Sequence, residues 1–295
     1  MSEAPDRAAD GPPQWGSHVP CYGGVGSLEV PADADDAVKN SYTRPPANVI
    51  PVRSKNYLHG TEKSEHAGKE LSPESVYEIV GFKVFHCSKR MGHIASKLRS
   101  LQTFIKENPC RTPSQCGLPD FLIVTWTFES FFSTSQTCAV HVFRRKMDFT
   151  EGETTSGLGK TVTRFFATDK ETMINKLKFA FKVEQGSEAF RNAIAVGGGE
   201  RPVIIAKRLT CGFHKGPNYF EIDQDVGSST IASMLNKVIL NASSEIIGSL
   251  SWMIEPQSED ELPERVLGIV RLNHINFEDT RIELDENYEP INTSI

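Results

Sequence analysis

Four stretches carry residue types whose spacing could support chemistry. Gly157-Leu158-Gly159-Lys160-Thr161 ends like a phosphate loop. A Walker motif needs a glycine five residues before Gly159, and Thr154 stands there. The preceding stretch, Asp148 to Ser156, is polar and acidic, whereas a P-loop follows an apolar strand. We read it as an ordinary loop. Asp223-Gln224-Asp225 opens like a calcium loop, but the sixth position is Ser228 and the twelfth is Met234, where glycine and a bidentate glutamate belong. Asp225 and Gly227-Ser228-Ser229 are better placed to satisfy the first N–H groups of a following helix, or to hold an anion there. Glu255, Glu259, Asp260, Glu261 and Glu264 cluster between two expected strands. A catalytic carboxylate needs a partly desolvated cleft, so this cluster reads as a solvated loop. The eight histidines form no HExxH or Hx3H pair, and no GxSxG elbow is present. Cys211 and His214 are close in sequence, but that alone makes no dyad. No catalytic residue, cofactor or metal is expected.

Six cysteines lie at 21, 87, 110, 116, 138 and 211, with no CxxC pair and no zinc spacing. They read as reduced thiols. Cys110 and Cys116 flank a proline-containing turn and could bridge only if oxidised. Asn241-Ala242-Ser243 and Asn292-Thr293-Ser294 are formal glycosylation sequons, which matter only in a secreted chain.

The elements around these stretches are legible. Met91, Ile94, Leu98, Leu101 and Ile105 recur at helical steps, so a helix over about 89–107 capped by Ser88 is expected, with Lys97, Arg99 and Lys106 off its apolar stripe. Thr168 and Glu171 have capping-box spacing before Met173, Leu177 and Phe181. Ser228 or Ser229 caps a third helix carrying Ile231, Met234, Leu235, Val238 and Ala242. Strands are expected at 121–128, 138–143, 203–205, 219–222, 246–254 and 266–275, and often follow one another without a helix between them. That order favours an α+β fold, a largely antiparallel curved sheet packed on a long helix.

Length and charge narrow the classes further. The chain has 295 residues, 38% of them hydrophobic, enough for a real core. A net charge of -6 disfavours a general nucleic-acid binder. No apolar run approaches the ~20 residues that span a bilayer, and the first twenty residues lack an apolar segment of signal type. A cytoplasmic protein, peripheral to membranes at most, is expected. Residues 1–48 read as a flexible arm, 49–275 as one domain and 276–295 as an acidic tail. The basic run from Lys83 to Arg111 and the acidic stretch from Glu255 onward could be complementary to each other, or the basic run could face an anionic surface.

A resemblance enters through several elements taken in order. They are Gly216-Pro217-Asn218-Tyr219-Phe220-Glu221-Ile222-Asp223-Gln224-Asp225-Val226-Gly227-Ser228-Ser229, then Trp252-Met253-Ile254-Glu255, then Glu261-Leu262-Pro263-Glu264-Arg265-Val266-Leu267-Gly268-Ile269-Val270-Arg271. Together they resemble the C-terminal domain of the plant Enhanced Disease Resistance 2 proteins. Val52-Arg53 with Tyr57, Leu58 and Lys63 resembles that family's opening pattern, although Ser54 stands where the family usually has glycine. Phe121 to Val124, Phe190-Arg191-Asn192 and the strand from Arg201-Pro202 to Lys207 resemble further family elements, while Gly197-Gly198-Gly199 replaces a longer segment. The likeness covers roughly 49–275.

The resemblance implies a domain that, in the plant proteins, follows a pleckstrin-homology module and a START lipid-transfer module and works at membranes. The 48 residues before the domain have no room for either, so a stand-alone form is expected. It transfers no catalytic residue. The leading expectation is therefore a non-enzymatic binding module for a lipid, an amphipathic ligand or an anionic membrane surface. The alternatives are a protein-interaction or regulatory domain, and a hydrolase of lipid-like esters. The side chains expected to contribute are Arg53, Arg191, Lys207, Tyr219, Asp225, Ser228 and Arg271. Arg271 lies within an apolar strand and must find a partner, for which Asp223, Asp225 and Glu255 are the candidates.

Overall fold

The structure is a computed structural model describing residues 39–59, 68–129, 135–196 and 200–291. In chain order its elements are β1 (Ser41–Thr43), β2 (Pro51–Arg53), β3 (Lys69–Leu71), β4 (Tyr77–Cys87), α1 (Arg99–Glu107), β5 (Phe121–Glu129), β6 (Gln136–Arg145), α2 (Gly157–Ala167), α3 (Lys170–Lys176), β7 (Leu177–Gln185), α4 (Glu188–Val196), β8 (Val203–Ile204), β9 (Thr210–Lys215), β10 (Tyr219–Asp225), α5 (Thr230–Ala242), β11 (Ile247–Ile254), β12 (Val266–Asn273), α6 (Phe277–Thr280) and β13 (Arg281–Leu284).

The fold is α+β. Its strands make two large sheets and a small ribbon. One sheet has the order β1-β12-β11-β7-β8, the other β13-β4-β6-β5-β10-β9, and β2-β3 form the ribbon. All pairs are antiparallel except β10 with β5 and β13 with β4. The strands alternate apolar side chains between two faces, so each sheet must be covered twice. The main core lies where the sheets face each other: Val124, Ala139, Phe143, Phe220 and Ile222 from one meet Phe179, Leu250, Trp252 and Val270 from the other. Outside the six-stranded sheet, Met91, Ile94, Leu98, Leu101 and Ile105 cover Val80, Phe121, Ile123 and Val140. Outside the five-stranded sheet, Ala47, Ile50 and Val52 cover Met253, Val266 and Ile269.

Several expectations change here. The largely antiparallel pairing is as expected, but it is divided between two facing sheets rather than gathered in one curved sheet packed on a long helix. The apolar stripe 91–105 is real, but only Arg99–Glu107 is α-helical and Ile94–Ser96 is a 3-10 turn. The segment before it is pinned instead by polar groups of β10 and β6, described below. The helix expected through Phe181 ends at Lys176, because Leu177–Gln185 is claimed by pairing with β11. Its cap is Asp169, which accepts from the Thr172 N–H, not Thr168. The Gly157–Thr161 stretch is no loop: it opens α2. A Cβ on Gly159 would lie 2.3 Å from the Glu153 carbonyl, so that glycine permits close packing on the preceding turn. Lys160 pairs with Asp260, and the Thr161 hydroxyl donates to the Glu261 carbonyl at 2.9 Å. The end of the expected arm is ordered, since Ser41–Thr43 pairs with β12; residues 1–38 lie outside the described residues. The expected tail is docked as well, with β13 parallel to β4.

Candidate functional site: an apolar cavity between the sheets

On β5, Trp126 and Phe128 share a face with Ala139 and His141 of β6, because paired residues of an antiparallel ladder point the same way. That face looks across to Phe179 and Phe181 of β7 and to Gly248 and Leu250 of β11. Packing there is incomplete. A cavity of ≈ 90 Å³ remains, within a partly open cleft of ≈ 680 Å³ counted out to the surface. Leu272, Ile275 and Phe277 form its far side, and Ile239 and Leu240 of α5 form another wall. No lysine, arginine or carboxylate lines it among the described residues. A larger groove of ≈ 640 Å³ lies outside, along Arg44–Asn48 and Ser72–Ser75. It is a wide surface depression with ionic rims: Arg44 pairs with Glu78 and Lys146 with Glu74.

Two of the residues that line the inter-sheet cavity carry unusual nitrogens. His141 is 1% exposed. Its Nδ1 lies 3.0 Å from the Val124 carbonyl, which can only accept, so Nδ1 carries the proton. Nε2 is then a bare acceptor, and no partner reaches it. Burial holds this imidazole down at a pKa of about 4, and so neutral at pH 7. The Trp126 Nε1–H is likewise buried without a partner. Trp252, on the facing sheet, shows the ordinary arrangement: its Nε1–H donates to Gln224 Oε1 at 3.0 Å.

α5 starts where Ser229 accepts from the Ala232 N–H, as the Ser228/Ser229 expectation has it. The helix is apolar on more than one side. Ile239 and Leu240 face the cavity, while Met234 (64% exposed) and Val238 face solvent. No helix among the described residues is long and apolar enough to cross a membrane.

The seven expected ligand residues do not converge on this cavity. Arg53 pairs with Glu255 at 2.9 Å, donates to the Pro256 carbonyl and lies over the Tyr57 ring. Arg191 donates to the Val183 and Glu184 carbonyls, fastening α4 to β7. Lys207 is exposed in a 3-10 turn. Asp225 pairs with Arg90, and the Ser228 hydroxyl donates to the Asp225 carbonyl. Arg271 takes Glu184 at 3.3 Å, not Asp223, Asp225 or Glu255: β7 lies two strands away in the same sheet, whereas β10 belongs to the other sheet. The acidic cluster 255–264 is solvated only in part: Glu259 and Asp260 are exposed, while Glu261 and Glu264 are buried. Glu261 takes Lys176 at 2.5 Å and buried Glu264 takes buried Lys178 at 2.6 Å, so cations at the start of the β7 region meet the loop that leaves β11.

Tyr219 belongs to a polar cluster on the opposite face of β10. Its hydroxyl lies 3.0 Å from His93 Nε2. The His93 and His214 rings stack at 4.2 Å. Asp223 accepts from the His93 N–H (2.7 Å), His214 Nε2 (2.9 Å) and the Thr125 hydroxyl (2.9 Å). Glu221 accepts from the Ile94 and Ala95 N–H groups. Burial and the adjacent Asp223 push the Glu221 carboxyl up to about 9, so it is protonated at neutral pH. Residue types suited to acid–base work thus meet here, but the carboxylate oxygens are committed to fastening the backbone of 93–95. Among the described residues no group of three or more His, Cys, Asp or Glu could hold a metal. The pairing of Cys110 with Cys116 does not occur: both are free thiols.

The profile of the C-terminal domain of Protein ENHANCED DISEASE RESISTANCE 2 matches residues 42–276. The chain belongs to that family. Among curated proteins, the Arabidopsis thaliana "Protein ENHANCED DISEASE RESISTANCE 2-like" is 24% identical over 246 residues, covering 83% of this chain and 30% of the relative. The chain therefore spans under a third of that relative's length. No solved structure matches. The cavity walls fall inside the matched region apart from Phe277, and neither His141 nor Trp126 belongs to the motifs by which the resemblance is visible. The signal for His141 was available: it is the lone polar residue in the apolar run Cys138–Phe143, on the same face as Ala139 and Phe143.

Proposed function

We propose that this Enhanced Disease Resistance 2 C-terminal domain is a non-enzymatic module that holds the apolar part of a lipid between its two sheets. The observation that carries the reading is the uncharged cavity walled by both sheets and by a helix that also exposes Met234 and Val238. Cavities with mostly apolar walls and few polar groups are the usual setting for such ligands, and α5 is the wall whose displacement would admit one. An apolar outer face on that same helix would let it meet a bilayer while the inner face receives the lipid. The reading does not depend on the basic run near 83–111, part of which is engaged by its own chain. Lys89 pairs with Glu286 and Arg99 with Glu289, and Lys97 lies over the Tyr288 ring.

The test is flotation of the full chain with mixed-lipid vesicles, followed by native mass spectrometry of the recovered protein. The parent carries lipid-sized adducts. Ala139→Leu fills the cavity floor and loses them, and the paired change Met234→Glu with Val238→Glu reduces flotation. A parent protein that neither floats nor retains lipid would defeat the proposal.

The hydrolase reading has one observation on its side, the His93–His214–Asp223–Glu221 cluster. It requires a nucleophile beside a base, and the described partners of the two imidazoles are Tyr219, Asp223, Glu221 and each other. Turnover of a nitrophenyl ester that vanishes in His214→Ala would favour it.

A further inference from the structure

The cavity's polar groups define the head of its ligand, on the premise that the cavity holds a lipid at all. Inside almost wholly apolar walls stand one unpaired acceptor, His141 Nε2, and one unpaired donor, the Trp126 Nε1–H. Native proteins leave few such groups unpaired when buried, because each loses its hydrogen bonds to water without replacement. The two residues sit diagonally on neighbouring strands, on the same face: Val124 is opposite His141, and Trp126 is opposite Ala139. Diagonal neighbours on an antiparallel ladder are within reach of long and aromatic side chains. The His141 Nδ1 edge is turned back to its own sheet, so the Nε2 side of the ring faces away from that bond. Ser243, the one hydroxyl residue among the described lining residues, caps the end of α5 and donates its proton to the Leu240 carbonyl.

We infer that the cavity selects an uncharged lipid alcohol, an apolar chain or ring body whose single hydroxyl donates to His141 Nε2 and accepts from the Trp126 Nε1–H. A hydroxyl is both donor and acceptor and satisfies both nitrogens at once. A carboxylate is acceptor-only and sets its lone pairs against that of Nε2. The neutral imidazole, held so by burial, offers it no charge. A phosphate headgroup finds no lysine or arginine in the lining. A plain hydrocarbon leaves both nitrogens bare. The ≈ 90 Å³ void takes the hydroxyl end and the first few carbons, and the remainder follows the cleft outward beside α5.

The test compares three compounds with the same C16 chain: 1-hexadecanol, hexadecanoate and hexadecane, each radiolabelled and delivered from cyclodextrin to the full chain at pH 7.5. Retention of the alcohol is expected to exceed that of the other two by about fivefold or more, the factor one ordinary hydrogen bond supplies. His141→Phe and, independently, Trp126→Phe should bring the alcohol down to the hexadecane level while leaving hexadecane unchanged. The second variant probes the same hydroxyl from its other partner, and so still decides the matter if the first fails to fold. Equal retention of alcohol and alkane, with no effect of either substitution, overturns the inference in favour of buried water at the two nitrogens. Preference for hexadecanoate overturns it in favour of an anion site. Retention of none of the three by the parent removes the lipid-holding reading itself, a failure distinct from the other two.

Discussion

Strand β10 presents opposite solutions to polar burial on its two faces. Toward solvent-side coverage, Tyr219, Glu221 and Asp223 enter a cluster in which nearly every polar atom has a partner, and this cluster ties the 93–95 turn to the sheet. Toward the other sheet, Phe220 and Ile222 join the core and Gln224 takes the Trp252 indole. Next to them, on β5 and β6, Trp126 and His141 have polar atoms left over beside unfilled space. A saturated network fixes a conformation, whereas an unsaturated one beside a cavity is poised for something to arrive. The comparison puts the saturated polar network on the outer face and the unpaired nitrogens on which our proposal rests on the inner one, even though the outer face carries the residues that look catalytic on paper.

The sharpest way to break the comparison is Asp223→Ala. It strips the Thr125 hydroxyl, the His93 N–H and His214 of a common acceptor. A loss of about 3 kcal/mol is expected in urea unfolding at pH 7.5, in the range for hydrogen bonds to a buried charged group. Lipid retention should be unchanged per folded molecule. A cost near zero would mean that the outer network does not hold the turn.

The inner face gives a pH signature of similar size. Folded His141 titrates near 4, against ~6.5 in the unfolded chain. Between those values the unfolded chain binds the extra proton, so stability is full above pH ~6.5 and falls as the pH drops toward 4. The loss amounts to about 3 kcal/mol at ~1.4 kcal/mol per pH unit. His141→Phe should flatten this part of the curve, measured as the parent–variant difference between pH 7.5 and 4.5. Parallel curves would show that the imidazole is not buried neutral.

Glu221 carries the opposite sign. Its folded pKa is raised, so the folded protein holds a proton that the unfolded chain releases, and stability is lost as pH climbs from ~4.5 toward 9. Glu221→Gln cannot accept through its amide nitrogen from the Ala95 N–H, so it starts about 1 kcal/mol below the parent at pH 5. It should close that gap within about one pH unit and be the more stable of the two at higher pH. A gap that widens toward pH 9 would place a charged carboxylate at 221.

What could be read from the sequence follows from the range of the forces involved. Strand pairs close in sequence were legible because alternation and turn residues are local: β5 with β6, and β11 with β12. The partner of β10 was not: the turn at 216–218 joins it to Thr210–Lys215, which was not among the expected strands, while the expected strand at Val203 pairs with β7. The apolar stripe 91–105 was legible too, but its helix was overextended, since Glu221 and Gln136 claim the backbone of 91–95 from more than 40 residues away. The division into two sheets, the Arg271–Glu184 pair and the ion pairs of 255–264 depend on which strands become neighbours, which no local period encodes. His141 and Trp126 were visible as residues, but a missing hydrogen bond can be seen only once every potential partner has been placed.

The smallest effect concerns how the outer face is finished. Its basic segment and the acidic residues after β13 meet in exposed pairs, Lys89–Glu286 and Arg99–Glu289, with Arg99 81% exposed at its side chain. Exposed pairs contribute ~0–1 kcal/mol, so Glu286→Gln with Glu289→Gln should barely move the unfolding midpoint. It should nevertheless unmask Lys89 and Arg99, and adsorption to vesicles rich in anionic lipid should rise at low salt and vanish above ~0.5 M. Cavity lipid measured on the same sample should not change, because no residue of that segment lines the cavity. If freeing the basic segment also raised cavity occupancy, the two faces would be coupled, and the tail would act as a control on loading rather than as a finish to the surface.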